Sequence, residues 1–150
     1  MRDGRDAVCS LRTHPKRKIV DGKVISLDTR NPIAWCVRRW VSSINQGKKW
    51  RNLSNYIEVK YEDLVYNTVS SMDAVFDFLN LDAIDEEKIL SFYKYEHDLK
   101  HPQNIEVGKS LYAKSIGRWK KDLSKKEIRI FKKMAGDLLI QLGYEKNNDW

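Results

Sequence analysis

Apolar side chains recur at three- and four-residue intervals in several stretches of the chain, the spacing that places them on one face of an α-helix. One stretch begins at Asn31-Pro32, which we predict to be a side-chain cap followed by proline at the first helical position. The same spacing predicts a helix capped by Asn67 or Thr68 and another over residues 86–95. The pattern predicts a mainly helical chain.

The clearest helix pattern follows Ser124. Ser124 and Glu127 have the spacing of a capping box, in which each side chain accepts a hydrogen bond from the other residue's free backbone N–H group. Gly143 supplies the left-handed residue that commonly ends a helix. We therefore predict a helix that begins after Ser124 and ends at Gly143.

A short helix is also predicted near the start of the chain. Asp3 can cap a helix that begins at about Arg5, and Asp6 adds negative charge to its first turn. The helix is predicted to end before Pro15, because the residue before a proline avoids the α region. Residues 15–29 are then expected to form a basic, irregular loop.

One strand is predicted, over Asn55–Tyr61, where apolar and polar residues alternate. Residues 96–114 are predicted to form a long loop. One strand cannot cover the apolar faces of about six helices, which need a sheet to pack on. We therefore expect an α/β fold of which residues 1–150 are one partial, N-terminally truncated domain, with most of the parallel sheet missing.

Composition and charge narrow the possible partners. The chain is 41% apolar and 33% charged, which is typical of a globular protein, and its net charge of +7 favours an anionic partner. Basic residues concentrate in 16–18, 48–51 and 118–126, whereas residues 82–98 are acidic. The charge fits a small anionic ligand at least as well as nucleic acid.

Other classes of protein find little support in the sequence. No stretch approaches the ~20 apolar residues of a membrane span, and no charged-then-apolar leader is seen, so we expect a cytoplasmic protein without a membrane span. A targeting segment upstream of residue 1 would change the expected compartment. Cys9 and Cys36 are too few for a disulfide framework, and the three histidines are scattered, so we expect no metal site.

The strongest candidate for a binding site is the segment Arg2-Asp3-Gly4-Arg5-Asp6-Ala7-Val8-Cys9-Ser10. An arginine at a strand end can direct two donors at a phosphate, and the helix that follows points free N–H groups at the same anion. Ser10 can add a hydroxyl donor. The residue types alone leave open a second interpretation, a salt-bridged helix cap that binds no ligand.

Three segments, in this order, resemble the sulfotransferases that use 3′-phosphoadenosine 5′-phosphosulfate (PAPS). Residues 2–10 resemble the segment that binds the 3′-phosphate, and Ile57–Leu64 resembles the strand that ends in Tyr-Glu-Asp-Leu. Residues 116–120, and the capped helix that closes with Leu142-Gly143-Tyr144, resemble the C-terminal Gly-x-Trp segment and closing helix. The resemblance implies a P-loop-like three-layer fold, and sulfuryl transfer from PAPS to a hydroxyl or amine acceptor.

The resemblance also implies which residues hold the nucleotide. Arg2 and Ser10 match the pair that binds the ribose 3′-phosphate, and Tyr61 matches a tyrosine near the adenine, although an ordinary core aromatic fits its position equally well. Cytosolic members carry Arg-Lys-Gly-x-x-Gly-x-Trp where this chain has the different segment 112–119. Three residues are candidates to replace the missing basic contact: Lys114, Ser115 and Arg118.

The catalytic residues and the acceptor are not assigned. In the family, the loop that binds the 5′-phosphosulfate lies upstream of the Arg-Asp segment, as the catalytic base generally does, and no segment of residues 1–150 resembles that loop. We therefore expect this chain to carry the 3′-phosphate-binding half of a sulfotransferase and to be inactive alone.

Two other function classes are left open. A basic helical module that binds nucleic acid or another polyanion fits the charge, but the sequence contains no nucleic-acid-binding motif. A small-molecule kinase with a related P-loop would need a Gly-x-x-x-x-Gly-Lys-[Ser/Thr] motif, which residues 1–150 do not contain.

Overall fold

A computed structural model describes residues 1–14, 16–27, 30–91 and 113–150. Within these ranges the chain forms seven helices and one two-stranded antiparallel sheet. In chain order the elements are α1 (Gly4–Thr13), β1 (Lys16–Val20), β2 (Lys23–Leu27), α2 (Ile33–Lys48), α3 (Tyr61–Tyr66), α4 (Thr68–Phe78), α5 (Glu86–Ser91), α6 (Trp119–Asp122) and α7 (Lys125–Gln141).

The chain divides into two compact units, which are described separately. The terminal unit comprises Arg2–Asn52 and Ile116–Trp150, and the middle unit comprises Met1 and Leu53–Ser115. The expectation that residues 1–150 form one partial domain stays a prediction.

Helix α2 is the centre of the terminal unit, because both α1 and α7 pack against it. Phe131 of α7 is completely buried, and its ring centroid lies 5.7 Å from that of Trp40 on α2. Gly4 of α1 faces the same indole: a Cβ at this position would lie 2.6 Å from the Trp40 ring. Glycine therefore allows α1 to approach α2 closely enough to close the core.

The predicted boundaries of α1 and α7 are confirmed. Asp3 caps α1 by accepting a 2.8 Å hydrogen bond from the Arg5 backbone, and the helix ends at Thr13. Ser124 and Glu127 form the predicted capping box at the start of α7. Gly143, which follows α7, has the expected left-handed backbone, with φ of 72°. These boundaries follow from residues that are near neighbours in sequence.

The prediction of an irregular loop over residues 15–29 is wrong, since β1 and β2 form a hairpin there. Val20 pairs with Lys23, which leaves a two-residue turn at Asp21 and Gly22 with φ of 52° and 74°. Positive φ at both positions is the type I′ geometry that matches the twist of a hairpin, and Asp-Gly is among the dipeptides that favour it. An Asp-Gly pair between two stretches that each contain β-branched apolar residues is a hairpin signal in the sequence.

Asn31 does not cap α2 as predicted. Pro32 occupies the cap position, and no side-chain hydrogen bond caps the helix. The Asn31 side chain is directed to α1 instead: its Nδ2 donates to the Leu11 carbonyl at 2.8 Å, and its backbone N–H donates to the Arg12 carbonyl at 3.1 Å. Asn31 therefore satisfies carbonyl groups at the end of α1, which have no partner within that helix.

The predicted strand over Asn55–Tyr61 is also wrong, because Tyr61 begins α3 and residues 56–60 are assigned to no element. The Met1 backbone donates to the Val59 carbonyl at 2.5 Å and accepts from the Tyr61 N–H at 2.7 Å, the bonding pattern of a parallel ladder. A strand needs pairing along its length, and these two bonds to Met1 involve only Val59 and Tyr61, so no strand is assigned to residues 56–60.

The remaining helix predictions in the middle unit are confirmed in part. Helix α4 begins at Thr68, with Asn67 at the cap position but without a side-chain cap bond. Helix α5 covers Glu86–Ser91 of the predicted 86–95, and residues 92–112, which include most of the predicted loop, lie outside the described residues. The described elements are mainly helical, which is compatible with part of the expected fold.

No helix in the described ranges is both long enough and apolar enough to cross a membrane.

Candidate anion-binding site

Arg2 and Ser10, the predicted 3′-phosphate pair, both belong to the terminal unit. Arg2 is half-buried and directly precedes the α1 cap residue, whereas Ser10 is exposed on α1. The buried face of α1 is formed by Gly4, Arg5, Asp6, Val8 and Cys9. The Ser10 hydroxyl is therefore accessible to a ligand from solvent.

Asp6 joins α1 to the turn that precedes α6. Its side chain is completely buried, and its two oxygens accept hydrogen bonds from the backbone N–H groups of Gly117 at 2.7 Å and Trp119 at 3.0 Å. Burial raises the pKa of Asp6, while the two hydrogen bonds act in the opposite direction. The sequence prediction of a first-turn charge missed this role, since the partners of Asp6 are distant in sequence.

Arg5 is a structural residue of the terminal unit. It donates from Nη2 to Asp3 Oδ2 at 2.7 Å and from Nε to Asp3 Oδ1 at 3.1 Å, and it also pairs with Glu145. Its guanidinium carbon lies 4.1 Å from the Trp119 ring centroid and 4.7 Å from that of Trp150. The salt-bridged cap that the residue types left open is therefore present, formed by Asp3 and Arg5.

The pKa of Arg5 reflects two opposing effects. Burial alone would lower the pKa, but the hydrogen bonds and charges of Asp3 and Glu145 outweigh burial and raise it. Arg5 therefore remains a cation, and its donors are used inside the protein.

Tyr61 and Ser115 lie together in the middle unit, with 3.1 Å between their hydroxyl oxygens. Tyr61 is the first residue of α3 and is half-buried, not a residue of a strand as predicted. Lys114, the neighbour of Ser115, is exposed. Tyr61 and Ser115 are therefore in contact within the middle unit, and Lys114 is their exposed neighbour in sequence.

Arg118 lies in the terminal unit and lines a groove of about 330 Å³ with Cys9, Arg12, Thr13, Arg30, Asp122 and Leu123. Its Nε donates to Asp122 Oδ2 at 2.6 Å, and Arg12 pairs with Glu127. Two of the three arginines of this groove therefore have carboxylate partners. Arg2 and Ser10 are not among its lining residues.

Cys9 is not suited to act as a nucleophile in this groove. Burial, with the charge of Asp122 as the second cause, raises the pKa of its thiol to about 12. The thiolate is the reactive form of cysteine, and a thiol with this pKa remains protonated at neutral pH.

The sequence-predicted site residues thus fall into two groups. Tyr61, Lys114 and Ser115 belong to the middle unit, while Arg2, Ser10 and Arg118 belong to the terminal unit. Within the terminal unit, Asp6 connects α1 to the turn that carries Arg118. In the described part of the chain, no cluster of three or more His, Cys, Asp or Glu side chains is placed to hold a metal ion.

The comparison with protein families identifies the class of this chain. Residues 1–143 match the family model of the sulfotransferase domain. The chain therefore belongs to the sulfotransferase family, as the three ordered segments indicated. It matches no curated protein and no solved structure at a significant level.

Proposed function

We propose that this chain binds the nucleotide of PAPS as the 3′-phosphate-binding half of a sulfotransferase. The enzyme would transfer the sulfuryl group to a hydroxyl or amine acceptor. The observation that carries the proposal is the pair of hydrogen bonds from Gly117 and Trp119 to Asp6. These bonds join two of the three segments that resemble the family, residues 2–10 and 116–120, within one compact unit.

The chemistry of the candidate donors fits the nucleotide. A 3′-phosphate needs charge-assisted and hydroxyl donors, and Arg2 and the exposed Ser10 hydroxyl supply one of each in a single segment. Arg118 adds a guanidinium on the turn that Asp6 holds against α1. When bound, PAPS supplies the activated sulfuryl group.

The middle unit carries three further candidate residues for nucleotide binding. Tyr61 offers an aromatic face to a base, and its hydroxyl contacts that of Ser115. Lys114, exposed beside Ser115, can interact with phosphate as a mobile point charge. We assign these three residues to nucleotide binding: Tyr61 at a position that the resemblance matches, and Lys114 and Ser115 as candidates to replace the basic contact that this chain lacks.

Calorimetric titration of the 150-residue chain tests the assignment. Adenosine 3′,5′-bisphosphate should bind more tightly than adenosine 5′-monophosphate, because only the bisphosphate carries the 3′-phosphate. Arg2→Ala should weaken bisphosphate binding by about tenfold or more, the effect expected for a lost charge-assisted hydrogen bond, and should leave monophosphate binding unchanged. Ser10→Ala should act in the same direction with a smaller effect.

Arg129→Ala is the matched control, since Arg129 is an exposed arginine of α7 whose Nε donates to the Lys125 carbonyl. It should bind both nucleotides as the wild type does. Equal affinities of the wild type for the two nucleotides would contradict the 3′-phosphate assignment.

We also propose that these 150 residues bind the donor without transferring its sulfuryl group. The support is that no segment of the sequence resembles the family's 5′-phosphosulfate loop. Incubation of pure protein with ³⁵S-labelled PAPS and a panel of phenols and amines should give no labelled product. Turnover that persists through repeated purification would refute this part of the proposal.

The net charge of +7 keeps polyanion binding as the alternative function. A polyanion-binding module would bind single-stranded DNA with an affinity that falls steeply with salt and would not discriminate between the two nucleotides. The same titrations, repeated with an oligonucleotide at two salt concentrations, separate the two functions.

A further inference from the structure

The segment after α7 folds back along that helix. Gly143, with its left-handed backbone, is followed by Tyr144, whose N–H donates to the Leu139 carbonyl at 3.0 Å. Further along, Lys132 Nζ donates to the Trp150 carbonyl at 2.9 Å. The family match covers residues 1–143, so residues 144–150 lie outside the matched range.

Two side chains of this segment reach Arg5. Glu145 forms an ion pair with the guanidinium. The Trp150 ring also contacts the guanidinium, with 4.7 Å between the ring centroid and the guanidinium carbon. The Trp119 ring contacts the same guanidinium at 4.1 Å, and the two indoles meet edge to face at 6.0 Å. Trp150 therefore supports Trp119 both directly and through Arg5.

The Asp6 side chain binds the backbone of the turn that carries Arg118. Its carboxylate accepts the N–H groups of Gly117 and Trp119, the residues on either side of Arg118. Gly117 has φ of 75°, a conformation that glycine adopts without strain, so the turn can present both N–H groups to one carboxylate. The backbone at Arg118 is thereby fixed from both sides.

We propose that Asp6 and Trp150 are positioning residues for Arg118: Asp6 fixes the backbone that flanks it, and Trp150 fixes the neighbouring Trp119 ring. The consequence for ligand binding rests on the proposed function, in which Arg118 contacts the nucleotide phosphate. A guanidinium binds phosphate well only when its planar fork is correctly oriented, which requires a rigid backbone.

The first measurement needs no ligand. In the Asp6→Asn variant, one of the two N–H groups faces an amide NH₂ instead of an oxygen, so amide exchange at Gly117 and Trp119 should become about tenfold faster in NMR spectra. Trp150→Ala should accelerate exchange at Trp119 more than at Gly117. Unchanged exchange at both amides in Asp6→Asn would overturn the proposal.

The second measurement is the ratio of the affinities for adenosine 3′,5′-bisphosphate and adenosine 5′-monophosphate. Both variants should lower this ratio by about fivefold to tenfold, since a misoriented guanidinium loses its charge-assisted bonds to the phosphate. If the two residues had a merely structural role, the variants would bind both nucleotides more weakly by the same factor and the affinity ratio would not change. That result would also overturn the proposal.

Two controls separate positioning from general loss of stability. Leu139→Ala removes a completely buried aliphatic side chain from the same unit without removing a hydrogen bond from the turn. Asp77→Asn makes the same chemical change as Asp6→Asn at an exposed position of α4. Both controls should keep the wild-type affinity ratio, and Leu139→Ala should accelerate exchange throughout the terminal unit instead of at the turn alone.

The two measurements fail independently. If the wild type does not discriminate between the nucleotides, the proposed function fails and the ligand-binding consequence fails with it. The amide exchange of the variants then still decides whether Asp6 and Trp150 fix the turn around Arg118.

Discussion

The terminal and middle units differ sharply in how much apolar surface they bury. Among the described residues, every buried apolar side chain except Ile89 belongs to the terminal unit. Helices α3 and α4 of the middle unit contain no buried residue. Both units expose large apolar side chains: Leu79 and Leu81 of the middle unit are 52% and 55% exposed, and Ile19 and Val24 of the terminal unit are 73% and 65% exposed.

This difference shows which part of the chain can be stable through its own contacts. Burial of apolar surface is the main favourable term in folding, so the terminal unit has a local source of stability that the described middle unit has to a much smaller degree. Exposed apolar patches commonly mark surfaces where another element or partner packs. The proposed positioning of Arg118 depends on the well-packed unit.

Loss of the buried Phe131 ring should have the largest effect on the free energy of unfolding. Phe131→Ala should reduce the free energy of unfolding by about 3–5 kcal/mol, because the cavity would lie between α2 and α7. All five tryptophans lie in the terminal unit, so urea denaturation followed by tryptophan fluorescence reports on this unit. Leu81→Ala, at an exposed position of the middle unit, should change the free energy by no more than about 0.5 kcal/mol. Equal losses would remove the distinction between the units.

Gly4→Ala should have the next largest effect. The new Cβ would lie 2.6 Å from the buried Trp40 ring, and such overpacking typically costs about 1–3 kcal/mol. The same fluorescence-monitored denaturation measures this loss. In a Trp40→Phe background the smaller ring should relieve much of it, and a loss that is the same in both backgrounds would argue against the contact.

The two units also differ in how their helices are capped. Substitutions at the cap positions should change the free energy of unfolding by less than the core substitutions do. Ser124→Ala removes the capping box of α7 and should cost about 1 kcal/mol. Asn67→Ala, at the cap position of α4, should cost less because Asn67 makes no side-chain cap bond there. Circular dichroism during urea denaturation compares the two variants. A larger loss for Asn67→Ala would contradict the structure.

The smallest effect should appear as a dependence of stability on pH. Burial alone would raise the pKa of Glu127, but the hydrogen bonds from Ser124 and the charge of Arg12 outweigh it and lower the pKa below its usual 4.5. A carboxyl group whose folded-state pKa is lowered stabilises the protein above its unfolded pKa, and this contribution is lost as pH falls through the folded value.

Glu127→Gln should therefore be less stable than the wild type at pH 7, and the difference should shrink below pH 4.5. Urea midpoints at several pH values measure it, with Glu86→Gln, at an exposed start of α5, as the control of the same chemistry. A difference that grows as the pH falls would mean that the sign of the shift is wrong.

Much of the local structure could be predicted from the sequence. The cap of α1, the capping box of α7 and the Gly143 terminus depend on side chains and backbone groups a few residues apart. The hairpin at Asp21-Gly22 is equally local, and the prediction of a loop there missed the Asp-Gly turn signal. The order of the three family segments was also present in the sequence, and the family match confirms the family that it indicated.

The candidate site could be predicted only as a set of residue types. Sequence patterns identified Arg2, Ser10, Tyr61, Lys114, Ser115 and Arg118 as candidates, but they did not reveal the contact between Tyr61 and Ser115. The predicted strand at Asn55–Tyr61 failed for a related reason, because its alternating pattern is local while the partner that would make it a strand is not.

By itself the sequence determined the longer helices, the caps of α1 and α7 and the family, because these depend on periodicity, on hydrogen bonds between near neighbours and on short ordered segments. Only the tertiary structure decided that Asp6 binds a turn 111 and 113 residues away, and that Arg5 contacts the rings of both Trp119 and Trp150. A buried carboxylate must find donors wherever the packed chain places them, and no local pattern encodes which donors those are. The Arg2–Ser10 segment is thus recognisable in the sequence, whereas the contacts that hold its surroundings in place exist only in the folded protein.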